Sequence, residues 1–296
     1  MNRRDFLIAV AATPAALAHE PLAYVTADTQ SQVVVVGMTT GHVYRRIPTA
    51  PSPFSIERVG ETAVVAHTVT GRVTVLERHV VEGFAEPRYT AAAHDGRHAF
   101  VSDSGDTRIV TVDVVRGRVV GWAKLSQWPR HVSLAPDGRT LWVSLGTASN
   151  AIAVVDVADP LRPRHVSTVK PPFLAHDVGF APSGRAWITS GEQRTISAHG
   201  RLLPADEAPQ HVTFLDGRAY VTSGGSGTLR VYDERTARLL ATTRVPVGSY
   251  NVQFAAGRIL TPSLERGTLC VLDAAGRVTE TARVAPSSHD ACLALQ

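Results

Sequence analysis

Apolar and polar positions alternate in short runs along most of the chain, and helical spacing of apolar residues never persists beyond about two turns. The runs are β-branched and aromatic: Ala63-Val64-Val65-Ala66, Ala99-Phe100-Val101-Ser102, Leu141-Trp142-Val143-Ser144, Ala186-Trp187-Ile188-Thr189, Ala219-Tyr220-Val221-Thr222 and Ile259-Leu260-Thr261. Each follows a turn built on Gly60, Gly96, Gly138, Gly184, Gly217 or Gly257. Asp-Gly or its equivalent between apolar runs marks a hairpin, because both residues tolerate the positive φ that tight hairpin turns need. The six glycines are 33 to 46 residues apart, and a third, equally apolar strand follows each pair, as in Ile109–Asp113, Ile152–Asp156 and Leu229–Asp233. A fourth, more polar strand closes the unit, for example Val278 to Val284.

Four antiparallel strands in a unit of about 40 residues, repeated around the chain, predict an all-β, seven-bladed β-propeller. The first copy, Ala23-Tyr24-Val25-Thr26, has no hairpin partner before it, and the segment from His289 to Leu295 stands where an eighth first strand would begin. The C-terminal strand is therefore expected to join the N-terminal blade, closing the ring and removing its open edge. The 296 residues, which by length alone suggest two domains, reduce to one propeller over 19–296 and a leader over 1–18.

The leader opens with Arg3-Arg4, runs through Phe6-Leu7-Ile8 and ends in Ala16-Leu17-Ala18, the shape of a cleaved signal peptide. The paired arginines two residues before an apolar pair look like a twin-arginine export signal. With Pro14 inside it, the apolar run is too short to span a bilayer of about 20 helical residues. An exported protein, periplasmic or extracellular, is expected, with no transmembrane segment in the mature chain.

Tyr24-Val25-Thr26-Ala27 and Tyr220-Val221-Thr222-Ser223 resemble the Tyr-Val-Thr-Asn repeat of the YVTN (YncE-like) seven-bladed β-propellers. The recurring order Pro-x-His-Val, Asp-Gly-Arg, strand, Val-x-Asp resembles it too, over roughly residues 22–296. The resemblance implies the fold; it implies no single function, since such a scaffold hosts binding proteins, lactonases and lyases alike.

Composition narrows the chemistry. There are 30 basic and 26 acidic residues, and all the basic ones but Lys124 and Lys170 are arginine. They are scattered over turns (Arg97, Arg139, Arg185, Arg218, Arg258), without the basic run or aromatic interleaving that nucleic acid would call for. Two cysteines exclude a disulfide scaffold and any Cys₄ site. Cys270 and Cys292 fall on the last blade and the closing strand, where two buried free thiols are expected. No Gly-x-Ser-x-Gly nucleophile motif occurs.

The innermost strand of a propeller blade lines the central channel, so counting back from each turn gives the residues that open it. These are Phe54, Tyr89, His131, Asp177, His211, Asn251 and Asp290, preceded by Pro53, Arg88, Arg130, His176, Gln210, Tyr250 and His289. One channel rim thus gathers Arg88, Tyr89, Arg130, His131, His176, His211, Tyr250 and His289. Three readings follow: residues that cap strand-end carbonyls, a pocket for a small molecule or protein partner with Arg88 and Arg130 as anion-binding groups, or a divalent metal site. For the metal, His131, Asp177 and His211 on three consecutive blades are the candidate ligands. The expected function is a monomeric exported binding or scaffold protein; the alternative is a metal-dependent lyase or lactonase-like enzyme using the same rim.

Overall fold

A computed structural model describes residues 20–295. They form seven four-stranded antiparallel sheets, the blades of a β-propeller, with one 3₁₀ turn at Thr68–Thr70. The leader, 1–18, lies outside the described residues. Among those described, no helix is long and apolar enough to cross a membrane.

Numbered from the N-terminus, the blades have as innermost strands Ala291–Leu293 for blade one, then Pro53–Val59, Pro87–Ala92, Val132–Leu134, Asp177–Phe180, Pro209–Leu215 and Gln253–Ala255. Blade one takes its other three strands, Leu22–Ala27, Gln32–Gly37 and Val43–Pro48, from the N-terminus. The closure is as the repeat count predicts: Ala23, Tyr24 and Val25 pair with Leu293, Cys292 and Ala291. The two central strands of each sheet are buried on both faces, while fourth strands such as Arg164–Val169 are exposed. Hydrophobic clusters accordingly lie between blades. Phe100 and Ile109 of blade three pack with Leu141 and Val155 of blade four, and Trp187 of blade five packs with Phe214 and Tyr232 of blade six.

In several blades the Thr or Ser that ends the apolar second strand acts across the blade boundary. The hydroxyls of Ser102, Thr189 and Thr222 donate to the carbonyls of Arg130, Gln210 and Tyr250 on the next blade, at 2.7, 2.6 and 2.5 Å. Thr26 acts within blade one, joining the two ends of the chain by accepting from the Asp290 amide at 2.9 Å and donating to the Asp290 carbonyl at 3.3 Å. Cys270 and Cys292 are buried and free.

Thr26→Val keeps the branched shape but strands the buried Asp290 amide. Urea unfolding should show a loss of about 1–3 kcal/mol. An unchanged midpoint would remove the hydroxyl from the closure.

Candidate functional site

The channel is plugged by a layer of rings at the starts of the innermost strands. Phe54 stacks on His289 with centroids 3.9 Å apart and meets the edge of Tyr89 at 5.3 Å. Tyr89 lies 3.9 Å from the His131 ring, and His131 lies 4.6 Å from His176 and 4.4 Å from His211. His131, His176 and His211 are 2, 4 and 9% exposed, so what the strand count marked as an open rim is a buried floor. The aromatic residues of blades two and three fill the space that would have left it open.

Backbone contacts aim the three imidazoles at one another. His131 opens its strand with its amide on the Ser144 hydroxyl at 3.1 Å, and the His176 amide donates to the Thr189 carbonyl at 2.7 Å. The outer nitrogens of His176 and His211 fix their tautomers. Nδ1 of His176 is 2.9 Å from the Thr147 carbonyl, an obligate acceptor, so Nδ1 carries the proton and Nε2 is bare. Nδ1 of His211 is 2.9 Å from the Asp177 carboxylate, which holds that ring the same way. Nε2 of His131 accepts from Nε of Arg130 at 3.1 Å, which leaves its proton on Nδ1. Nε2 of His131 and Nε2 of His176 thus face each other, and His211 is held through its Nδ1.

One nitrogen from each ring lies within 4.8 Å of the others, the one such cluster of histidine, cysteine or acidic side chains among the described residues. Nε2 of His131 and Nε2 of His176 are 3.1 Å apart. Two nitrogens bound at about 2.0–2.1 Å to one tetrahedral ion sit about 3.3 Å apart. Burial, and then the neighbouring imidazoles, hold His131 well below the ordinary histidine range and bring His176 down to about 3, so both offer lone pairs at neutral pH.

Of the other rim residues, Asp177 sits beside the trio, its second oxygen taking the Val178 amide at 2.7 Å. His289 faces away, its Nδ1 2.9 Å from the Phe54 carbonyl. Arg88 pairs with Glu86 and lies over Trp128, with Cζ 5.5 Å from the ring. Tyr250 packs on Gly224, where any Cβ would come within 2.1 Å of its ring, and donates to Glu265 at 3.3 Å. Arg88 and Tyr250 therefore do not share the site with the imidazoles.

A cavity of about 520 Å³ runs from this layer along the innermost strands to the hairpin turns at Pro136 and Pro182. Tyr89, His131, Asp177 and His211 line it, whereas His176 and Arg130 are not among its walls. Glu57 and Asp290 face it as well, with Asn251 and Gln253 and the rings of Phe180, Phe214 and Phe254. Asp290 accepts the Ile56 and Ala291 amides at 3.0 and 2.9 Å, and burial still lifts it to about 7. Glu57 is lifted to about 8, by burial first and then by Asp290. The channel count did not reach Glu57, whose signal is a lone carboxylate inside the run Phe54-Ser55-Ile56-Glu57. The Thr147 carbonyl is a backbone group and leaves no signal at all.

No protein-family model matches the chain, and no curated protein matches it in sequence. Solved structures do. Hydrazine synthase of Kuenenia stuttgartiensis superposes with a TM-score of 0.73 at 17% identity, covering 86% of this chain and 92% of that one. A protein of unknown function from Desulfotomaculum acetoxidans gives 0.74 at 10% identity, covering 92 and 98%. Apo AztD of Citrobacter koseri gives 0.68 at 13% identity, also covering 92 and 98%. The likeness shows the fold alone. Proteins named so differently on one scaffold leave function to the site.

The buried groups set opposing pH limbs for the protein without metal. His176 and His289 stay unprotonated down to about 3, whereas the unfolded chain protonates them near 6.5. The unfolded state thus binds more protons in that window, and stability falls as pH drops from 6.5. Glu57 keeps its proton up to about 8, against 4.5 unfolded. The native state binds more protons there, so this contribution is lost as pH rises through that window. Melting temperature should fall below pH 6.5, and Glu57→Gln should flatten the decline on the alkaline side up to pH 8; an unaltered alkaline limb would contradict it.

Proposed function

We infer that this chain is a metal-binding β-propeller that takes one divalent transition-metal ion through His131, His176 and His211. The observation that carries this is that His131, His176 and His211 each offer a ring nitrogen within 4.8 Å of the others, with His176 and His211 oriented by partners outside the cluster. Imidazole nitrogen suits ions of borderline softness, such as Zn²⁺ or Co²⁺. Asp177, first considered as a ligand, is better suited to orienting His211, and His176 supplies the third nitrogen. The adjoining cavity gives a small ligand access to a remaining coordination position. The binding role at the channel expected from sequence is kept, with the metal as its centre.

Purified protein titrated with Co²⁺ should bind one ion per chain with the visible absorption of a tetrahedral site. His131→Ala should abolish that site, and Asp177→Asn should weaken it by about ten- to a hundredfold. Folded wild-type protein that takes up no Co²⁺ or Zn²⁺ would refute the reading.

A second reading, catalysis of the lyase or lactonase kind, has its own support. Glu57 and Asp290 are held near neutrality inside the cavity, where carboxyls serve proton transfer best. Hydrolysis of a simple aliphatic lactone by Co²⁺-loaded protein, lost in Glu57→Gln while Co²⁺ still binds, is the expected sign. No turnover by the loaded wild-type protein would remove this class of substrate.

We also propose membership of the YVTN-type propellers and work outside the cytoplasm. The Tyr-Val-Thr copies support the first, and Arg3-Arg4 with the apolar leader support the second.

A further inference from the structure

Arg130 meets a ring nitrogen where several other half-buried arginines meet a carboxylate. Arg88, Arg108 and Arg230 each meet a carboxylate, at Glu86, Asp103 and Asp206. Arg130 has no carboxylate within 4 Å among the described residues. Its Nε–H instead donates to Nε2 of His131 at 3.1 Å. That nitrogen has a single lone pair, and it is the pair the metal reading assigns to the ion. A hydrogen bond and a coordinate bond cannot share it.

The geometry points to Arg130 as a tethered competitor for the metal site, a cation that occupies the His131 lone pair until a divalent ion displaces it. This rests on the metal reading above and adds to it a residue that sets affinity without touching the ion. Its backbone is fixed between two blades: the amide donates to the Ser144 carbonyl at 2.8 Å and the carbonyl accepts from Ser102 at 2.7 Å. The guanidinium lies over the Tyr89 ring, with Cζ 5.8 Å from its centre, and that aromatic face offers a resting place once the imidazole is taken. Displacement therefore moves a side chain and leaves the blades in register. Two cations, guanidinium and metal, also repel at this separation, which drives the arginine outward once the ion is bound.

A competitor makes a prediction of unusual sign. Arg130→Leu and Arg130→Ala remove the cation and offer no ligand atom in its place, so both should bind Co²⁺ about tenfold more tightly than the wild type. A side chain that merely props the site would, when removed, leave affinity unchanged or lower it. Circular dichroism confirms that each variant is folded. In wild-type protein labelled with ¹⁵N-arginine, the Arg130 Nε–H resonance should shift on saturation with Zn²⁺, a readout that needs no variant. Equal or weaker Co²⁺ binding by the variants, or a resonance that stays put while Zn²⁺ binds, overturns this inference and leaves the metal site standing. Folded wild type and variants that all fail to bind either ion overturn the metal reading and this inference together.

Discussion

The site depends on one repeated contact, the hydroxyl that crosses from the second strand of one blade to the first residues of the next. Ser102 holds the carbonyl of Arg130, Thr189 that of Gln210 and Thr222 that of Tyr250, each just ahead of a channel residue. Thr26 holds Asp290 within blade one, across the junction of the termini. These hydroxyls are fully buried, so each bond forms without competition from water and leaves no orphaned partner. A propeller has no core shared by all its blades; neighbours must be registered pairwise, and the stitch does this at the height where the chemistry sits. It also explains why the repeat ends in Thr or Ser, since a Val there would fit the strand equally well and hold nothing.

Once registered, the blades place side chains from separate repeats within bonding distance of one another. His131, His176 and His211 belong to three blades, and their orienting partners cross blade boundaries too: Thr147 of the fourth blade holds His176 of the fifth, and Asp177 of the fifth holds His211 of the sixth. No single blade contains a functional unit. A local unfolding event in one blade would therefore dissolve the whole cluster, which ties it to the closure of the ring.

The fold was legible because its two signals are local: a positive-φ turn such as Asp216-Gly217, and the alternating run that follows it. The channel slots were legible by counting, and the count brings His131 and His211 to one layer. It gives no direction for the side chain that precedes each slot. Blades two, three and six begin at a proline and carry a register shift between Pro53 and Ser55, Pro87 and Thr90, and Pro209 and Val212, at the very place where slots are counted. Arg88 turns toward Glu86 and Trp128 just inside such a bulge. Which nitrogen of each ring faces the centre depends on a carbonyl from a loop and a carboxylate from another blade, and periodicity carries no information on either.

The electrostatics of the floor follow from the same geometry. The lone pairs of His131 and His176, 3.1 Å apart on buried rings, repel one another. Protonating one ring would remove the conflict, yet burial and the nearby guanidinium oppose that, keeping His131 far below its ordinary range. The carboxyls across the cavity give little help, because Glu57 and Asp290 are themselves raised by burial to about 8 and 7 and are largely or partly protonated at neutral pH. What remains is a single donated hydrogen bond from Arg130 to one of the two lone pairs. A small divalent ion satisfies both at once and, by its charge, favours ionisation of the carboxyls facing the same cavity. The proposed ion therefore rests on how these groups are held, two lone pairs opposed and two carboxyls raised, more than on the presence of histidines alone.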